Sequence, residues 1–160
     1  MRIDAYVPGS IGRIVELHGS YYARHWGFGL FFEAQVANEL GELLARYDPE
    51  RDGFWIATES EEVQGGIAID GAGAPERARL RFFIVADGRR GGGLGERLIG
   101  TALDFCRNAG YRKVFLTTFE GLDTARRLYE RHGFVLADQR PHRAWGKEVL
   151  EQRFELDLRH

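Results

Sequence analysis

Six consecutive residues, Arg90-Gly91-Gly92-Gly93-Leu94-Gly95, constrain this chain more than any other stretch because of what flanks them. Upstream, Arg79 to Ala86 predicts a largely buried strand. Downstream, Leu94 to Cys106 predicts an amphipathic helix. A strand, a glycine-rich turn and a helix together form the geometry that wraps a phosphate. Glycines let the backbone approach an anion closely, and unpaired N–H groups at the helix start point at it. Arg89 or Arg90 adds a side-chain contact. The pattern points to a phosphorylated ligand.

Two familiar phosphate loops fail on residues. A dinucleotide fingerprint needs a third glycine three positions beyond Gly95, where Leu98 stands. A nucleotide-triphosphate loop ends in Gly-Lys-Ser/Thr, but Glu96 follows Gly95, and the Gly146-Lys147 pair is followed by Glu148.

Composition narrows the class. A chain of 160 residues is expected to form one domain over residues 1–160, with 44% hydrophobic and 29% charged residues suiting a globular fold. The formal net charge of −2 argues against nucleic acid or an anionic membrane as partner. No apolar run reaches the roughly 18 to 20 residues of a membrane span. The start of the chain lacks a long apolar signal segment. The single cysteine, Cys106, cannot form an internal disulfide and falls on the apolar stripe of its helix, so it is expected in the core of a cytoplasmic protein. The histidines and acidic residues show no metal-ligand spacing, so no metal is expected.

Along the chain, Arg2 to Val7 predicts a strand stopped by Pro8-Gly9. Ser10 is the expected cap of a helix carrying Ile11, Ile14, Val15 and Leu17. A second helix after Trp26-Gly27 has Phe31, Val36, Leu40, Leu43 and Leu44 as its expected buried set. Phe54 to Glu59 and Val63 to Asp70 predict a hairpin around Ser60-Glu61-Glu62. The helix after the glycine loop should stop at Asn108-Ala109-Gly110. Lys113 to Thr118 predicts a strand, and Asp123 or Thr124 an N-cap for the following helix. Phe134 to Gln139 and Val149 to Leu158 predict late strands. Helices alternating with strands give an α/β class with a mixed sheet.

A second motif follows about 30 residues after the glycine loop: Ala125-x-x-Leu128-Tyr129-x-x-x-Gly133-Phe134. With Arg90-x-x-Gly93-x-Gly95 in that order, the chain resembles the GCN5-related N-acetyltransferase (GNAT) family. The resemblance implies a strongly bent sheet splayed between its fourth and fifth strands, with acetyl-CoA lying in the split. It implies direct attack of a primary amine on the thioester, with no acyl-enzyme. By the same resemblance, backbone amides at Ile84 or Val85 would pair with pantetheine and polarise the carbonyl. Amides of Arg90, Gly91, Gly92, Gly93, Leu94, Gly95 and Glu96 would hold the pyrophosphate, and Tyr129 would protonate the leaving thiolate. Many members carry Asn where this chain has Leu122, so either Asp123 or Thr124 replaces that cofactor contact or the contact is absent.

Two further stretches, His18-Gly19-x-Tyr21-Tyr22 and Trp145 to Phe154, resemble the acetyltransferase domain fused behind MarR-type regulators, here freestanding. The acceptor, a small-molecule or peptide amine, is expected against Tyr22, Trp26 and Thr117. His18 is the foremost candidate base, ahead of Asp70, Glu33 and Glu120. An exposed lysine of pKa about 10.4 is only roughly 0.1% neutral at cytoplasmic pH, against roughly 30% for an α-amine, so a poorly equipped site suits a low-pKa amine. The aromatic window Tyr21 to Phe32 reads either as an acceptor wall or as core plus a homodimer surface. The rival functions are an acyl-CoA-sensing or partner-binding module without catalysis, and transfer of a longer acyl group.

Overall fold

A computed structural model describes residues 1–159; His160, the last residue of the expected domain, lies outside the described residues. The chain runs β1 (Arg2–Asp4), α1 (Ser10–Trp26), α2 (Leu30–Ala45), β2 (Gly53–Glu59), β3 (Glu62–Asp70), β4 (Arg77–Val85), α3 (Leu94–Asn108), β5 (Lys113–Phe119), α4 (Asp123–Arg131), β6 (Val135–Ala144) and β7 (Lys147–Asp157). The strands form one mixed sheet in the order β1-β2-β3-β4-β5-β7-β6. Only β4 and β5 run parallel. This is the α/β architecture that the sequence pattern implies.

Helices cover both faces. On one side, Leu98, Ile99, Ala102, Leu103 and Cys106 of α3 pack with Leu128 and Tyr129 of α4 against Ile67, Leu80, Val114 and Phe154 of the sheet. Each large aliphatic buried here contributes about 1.5–3 kcal/mol. Cys106 sits in this core, where burial pushes its thiol up to about 12, so it remains an inert apolar group. On the other side, Ile14 and Leu17 of α1 and Leu40 and Leu43 of α2 cover Phe54, Ile56, Ala68 and Ile84. No helix among the described residues is long and apolar enough to cross a membrane.

The structure corrects the sequence at four places. Ser10 is the first residue of α1 rather than its cap, and its hydroxyl donates backwards to the Val7 carbonyl at 2.7 Å. Phe31, expected in the core, is 78% exposed; the buried stripe of α2 is Phe32, Val36, Leu40 and Leu43, and Phe31 falls one position off it. Neither Asp123 nor Thr124 caps α4, which begins after Leu122 without a side-chain cap. The last two strands are longer than expected and join in a two-residue turn, Trp145-Gly146, with φ of 52° and 81°. Positive φ at both positions matches the twist of the flanking strands. The Trp145 indole anchors that turn by donating to Gln35 Oε1 at 2.9 Å.

Candidate active site

The sheet divides at its centre. β4 and β5 pair only at Arg77–Lys113, Ala78–Val114 and Arg79–Phe115. Beyond that point β4 stays paired with β3 only, while β5, paired with β7 along its whole length, diverges from it. A wedge therefore opens between Leu80–Val85 and Leu116–Phe119. Its unpaired backbone edges offer hydrogen-bonding groups that an extended ligand could use. A bulge sharpens the bend: Gly66 faces Ile84 and Ala68 faces Arg81, so Phe82 and Phe83 together oppose Ile67. Phe82 takes a φ of 55°, rare for a bulky side chain and held here by packing with His18 and the Arg81 guanidinium.

Two cavities meet in this wedge. The first, of about 960 Å³, is walled by Ile84 and Val85 of β4, the glycine loop, the start of α4 and Tyr129. The second, of about 510 Å³, lies towards α1, α2 and the β6–β7 hairpin. Tyr22, Phe83, Thr118 and Tyr129 line both, so the junction is where two ligands would touch.

The first cavity suits a long phosphorylated cofactor. Its volume is of the size that encloses small ligands. The Ala86 N–H donates to Gln64 O at 2.7 Å, and the alternation of an antiparallel ladder then commits the Ile84 N–H to β3 and leaves the Val85 N–H facing the wedge. At the end of the strand the loop turns through Gly91 and Gly93, with φ of 86° and 84°. These two positions need glycine for their backbone. Gly95 needs it for space, since a Cβ there would meet Leu128 at 2.9 Å and Phe83 at 3.2 Å. No side chain caps α3, and the first helical bond runs from Arg97 N to Gly93 O, leaving the amides of Gly95 and Glu96, which line the cavity, without a helical partner and available to an anion.

Side chains hold this frame. Glu96 points back to α4, accepting from Arg131 at 2.9 Å and meeting His132 Nε2 at 2.6 Å. The hydrogen bonds from Arg131 and with His132 keep its carboxyl below the usual range. Arg90 bonds Asp87 at 3.2 Å and lies 4.1 Å from the centre of the Tyr21 ring. Leu94 turns its side chain into the core, and neither it nor Gly92 lines the cavity. Asp123 does line it, beside Leu122 and Thr124, from the exposed start of α4.

Tyr129 forms the floor of the junction. It is 6% exposed and packed against Phe83, Phe134 and Phe154, which fixes the ring. Its hydroxyl has no hydrogen-bond partner among the described residues. Burial raises the phenol far above its ordinary value, and the neighbouring Tyr22 adds to the effect. Tyr22 is raised in the same way.

The second cavity carries the expected acceptor residues unevenly. His18 lines it, 6% exposed, with Nδ1 at 2.8 Å from the Ile14 carbonyl. A carbonyl only accepts, so Nδ1 bears the hydrogen and Nε2 keeps its lone pair. Burial lowers the imidazole to about 4, which keeps it neutral. Tyr22 stacks on His18, and Thr117 lines the far wall from β5. Trp26 stands outside both cavities, packed on Phe28 and Phe119. Asp70 is bound by Arg46 and Arg81, both at 2.9 Å, and its carboxyl is held below the usual range despite burial. Glu33 and Glu120 line neither cavity.

The carboxylates that do line the second cavity are Glu39 and Glu151, with Arg79 and Arg81. The sequence offered one signal for them. Gln152, Phe154 and Leu156 are buried on one face of β7, so Glu151 and Arg153 face the other way.

Comparison with known proteins agrees with this geometry. Residues 13–134 match the model of the acetyltransferase (GNAT) family. Human N-acetyltransferase 8 is 27% identical over 124 residues, covering 74% of this chain and 55% of that protein. Human N-acetyltransferase 8B is 31% identical over 100 residues, covering 60% and 44%. The chain thus spans about half the length of these curated relatives. Among solved structures, yncA from Salmonella typhimurium with its cofactor acetyl-CoA superposes with a TM-score of 0.78 at 18% identity, over 99% of this chain and 95% of that one. Ribosomal-protein-alanine N-acetyltransferase from Brucella melitensis gives 0.80 at 15% identity, over 99% and 100%. The splayed sheet, the glycine loop at the head of α3 and the family match over residues 13–134 make this chain a member of the GNAT acetyltransferase family.

Proposed function

We propose that this chain is an acetyl-CoA-dependent N-acetyltransferase acting on a primary amine of low pKa. One observation carries the proposal: the backbone-lined first cavity and the side-chain-lined second cavity meet at Tyr129. Bound acetyl-CoA supplies the thioester carbonyl that the amine attacks and the thiolate that departs.

The chain's own residues do the rest. The open amides at the head of α3 and the Arg90 side chain neutralise the pyrophosphate. The Val85 N–H, facing the wedge, donates to the cofactor arm and fixes its register along β4. Packing holds the Tyr129 ring, so its hydroxyl is in place to give a proton where negative charge leaves. Because burial keeps the phenol protonated, the donor is loaded at every physiological pH. Burial in the same cleft also raises the proton affinity of a thiolate, which narrows the gap between donor and acceptor.

His18 is neutral, and its Nε2 accepts a hydrogen bond from the incoming amine. With its basicity lowered to about 4 it orients the nitrogen more than it strips it. That weakness favours an acceptor already partly neutral, such as an α-amine. The relation to the MarR-fused subgroup belongs to the same proposal and is supported by the sequence stretches His18–Tyr22 and Trp145–Phe154.

Calorimetric titration with acetyl-CoA, followed by thiol release on adding amines, tests this reading. Stoichiometric binding and amine-dependent release are expected. Binding without release for any amine would favour the sensing module, and a folded sample that does not bind would end the proposal.

A further inference from the structure

The second cavity holds a cation with no partner. Of its lining arginines, Arg81 is engaged by Asp70 at 2.9 Å and Glu39 at 2.6 Å. Arg143 lies 4.0 Å from Glu148 at the exposed rim. Arg79 has no ion pair, and its Nε is buried with no hydrogen-bond partner among the described residues. Its guanidinium leans on Phe115, at 5.9 Å from the ring centre, against a ring that Arg77 and Arg153 also cover. Desolvation and the nearby Arg81 disfavour its charge, and Glu39, Asp70 and Glu151, none of them in ion-pair contact with it, offset that only in part. A guanidinium partly withdrawn from water, with no carboxylate in contact, favours an anion that joins it. Arginine's fixed fork suits a carboxylate.

We propose that the acceptor amine carries a carboxylate that pairs with Arg79. This rests on the acetyltransferase reading above, because the reacting nitrogen is placed at Tyr129. Spacing narrows the ligand further. Arg79 precedes Phe83, at the cavity junction, by four residues of a strand that bulges at Phe82, so the two stand at most about 13 Å apart. An arginine side chain spans part of that distance. The carboxylate therefore stands several bonds from the nitrogen, as in a dipeptide with a free α-amine and a free carboxyl end, and not on the adjacent carbon. Arg81 already carries two carboxylates and Arg143 lies at the exposed rim, so Arg79 is the lining arginine best placed to take a carboxylate inside the cavity.

Glycylglycine and glycylglycinamide test this, since they present similar amines and differ in the terminal charge. In the wild type, kcat/KM for glycylglycine should exceed that for its amide by about 10-fold or more, the size of one charge-assisted hydrogen bond. Arg79→Gln should abolish the preference while acetyl-CoA affinity holds. Arg79→Lys should keep part of it, and Arg77→Gln, outside the cavity, should leave it intact. Equal rates for the two dipeptides, or a preference that survives Arg79→Gln, would overturn the proposal. The Arg79 Nε–H resonance gives a readout independent of turnover. It is assigned by its absence from Arg79→Lys, and should move with glycylglycine and not with the amide. An unmoved resonance overturns the carboxylate seat even if acetyl transfer is active. A moved resonance with no transfer to any amine supports the seat and points the failure at the enzymatic reading.

Discussion

The two walls of the wedge are made of different material. On the α3–α4 side the ligand-facing groups are backbone: the Val85 amide, the turn through Gly91 and Gly93, and the open N–H groups of the first turn of α3. On the α1–α2 side they are side chains: His18, Tyr22, Arg79, Glu39 and Glu151, drawn from four elements. A backbone site fixes glycines at set positions and tolerates most other residues. A side-chain site fixes chemistry but not spacing, and is free to change with the substrate. A family motif can therefore record the cofactor wall, while the acceptor wall leaves no such pattern in the sequence.

Tyr129, which belongs to both walls, gives the sharpest test of that division. Removing only its hydroxyl, by Tyr129→Phe, should lower kcat by about 10²-fold or more, while acetyl-CoA affinity from calorimetry stays unchanged. Its phenol is raised so far by burial that it does not ionise below about pH 10. The wild-type profile of kcat/KM should therefore rise with deprotonation of the amine and show no alkaline fall from this group. If affinity for acetyl-CoA fell as far as turnover, Tyr129 would belong to the cofactor wall alone.

His18 tests the other wall through stability. Its folded value of about 4 lies below the ordinary 6.5. Above about pH 6.5 both folded and unfolded chains hold it neutral, and it contributes no pH dependence. As pH falls from there towards 4, the unfolded chain takes up a proton that the folded chain excludes, so stability declines by about 3 kcal/mol in all. Below pH 4 the decline from this group ends. His18→Asn should remove that part of the slope, seen as a smaller shift in the urea midpoint between about pH 7 and pH 5. Parallel curves for the two proteins would mean that the imidazole keeps its ordinary basicity in the folded chain and is available as a base.

On the cofactor wall the glycines should separate into kinds. Gly95→Ala places a methyl 2.9 Å from Leu128 and 3.2 Å from Phe83. It should cost about 1–3 kcal/mol of stability by overpacking. Gly93→Ala meets open space but a φ of 84°, and should cost about 1 kcal/mol and weaken acetyl-CoA binding. Gly92→Ala has neither obstacle and should change stability least. Thermal unfolding and calorimetry on the three variants would show whether the loop is three equivalent glycines or three different demands.

These contrasts also explain what was legible in the sequence. The glycine loop and the Ala125–Phe134 motif were readable because backbone geometry and helix packing leave residues at fixed spacing. The parallel seam that ends at Arg79–Phe115 was expected through family resemblance, and no local pattern marks where it stops. Phe31 and Trp26 were misplaced because a crowded aromatic window hides the helical phase; only the packing of Phe28 and Phe32 on Trp145, far along the chain, shows which rings turn inward. Arg79 and Glu151 looked like ordinary charged strand positions. Their meaning depends on the wedge, which leaves that stretch of the sheet face without a covering helix.

The smallest effect concerns the contact that ties the walls together. Tyr21 sits on α1, the acceptor side, but its ring lies under Arg90 of the glycine loop at 4.1 Å. Arg90 in turn bonds Asp87, which also pairs with Arg24 and lies 3.6 Å from His25 at the end of α1. The last turns of α1 therefore hold the shape of the loop that we propose receives the pyrophosphate. Tyr21→Leu keeps an apolar side chain and removes the cation–π contact, about 0.5–1 kcal/mol at an exposed site. If that contact pre-organises the loop, the loss appears as about two- to five-fold weaker acetyl-CoA binding, with KM for the amine unmoved. A change in amine KM alone would instead place Tyr21 on the acceptor wall. A change in both would mean that α1 couples the two sites, and the division between the cofactor wall and the acceptor wall would hold for composition but not for function.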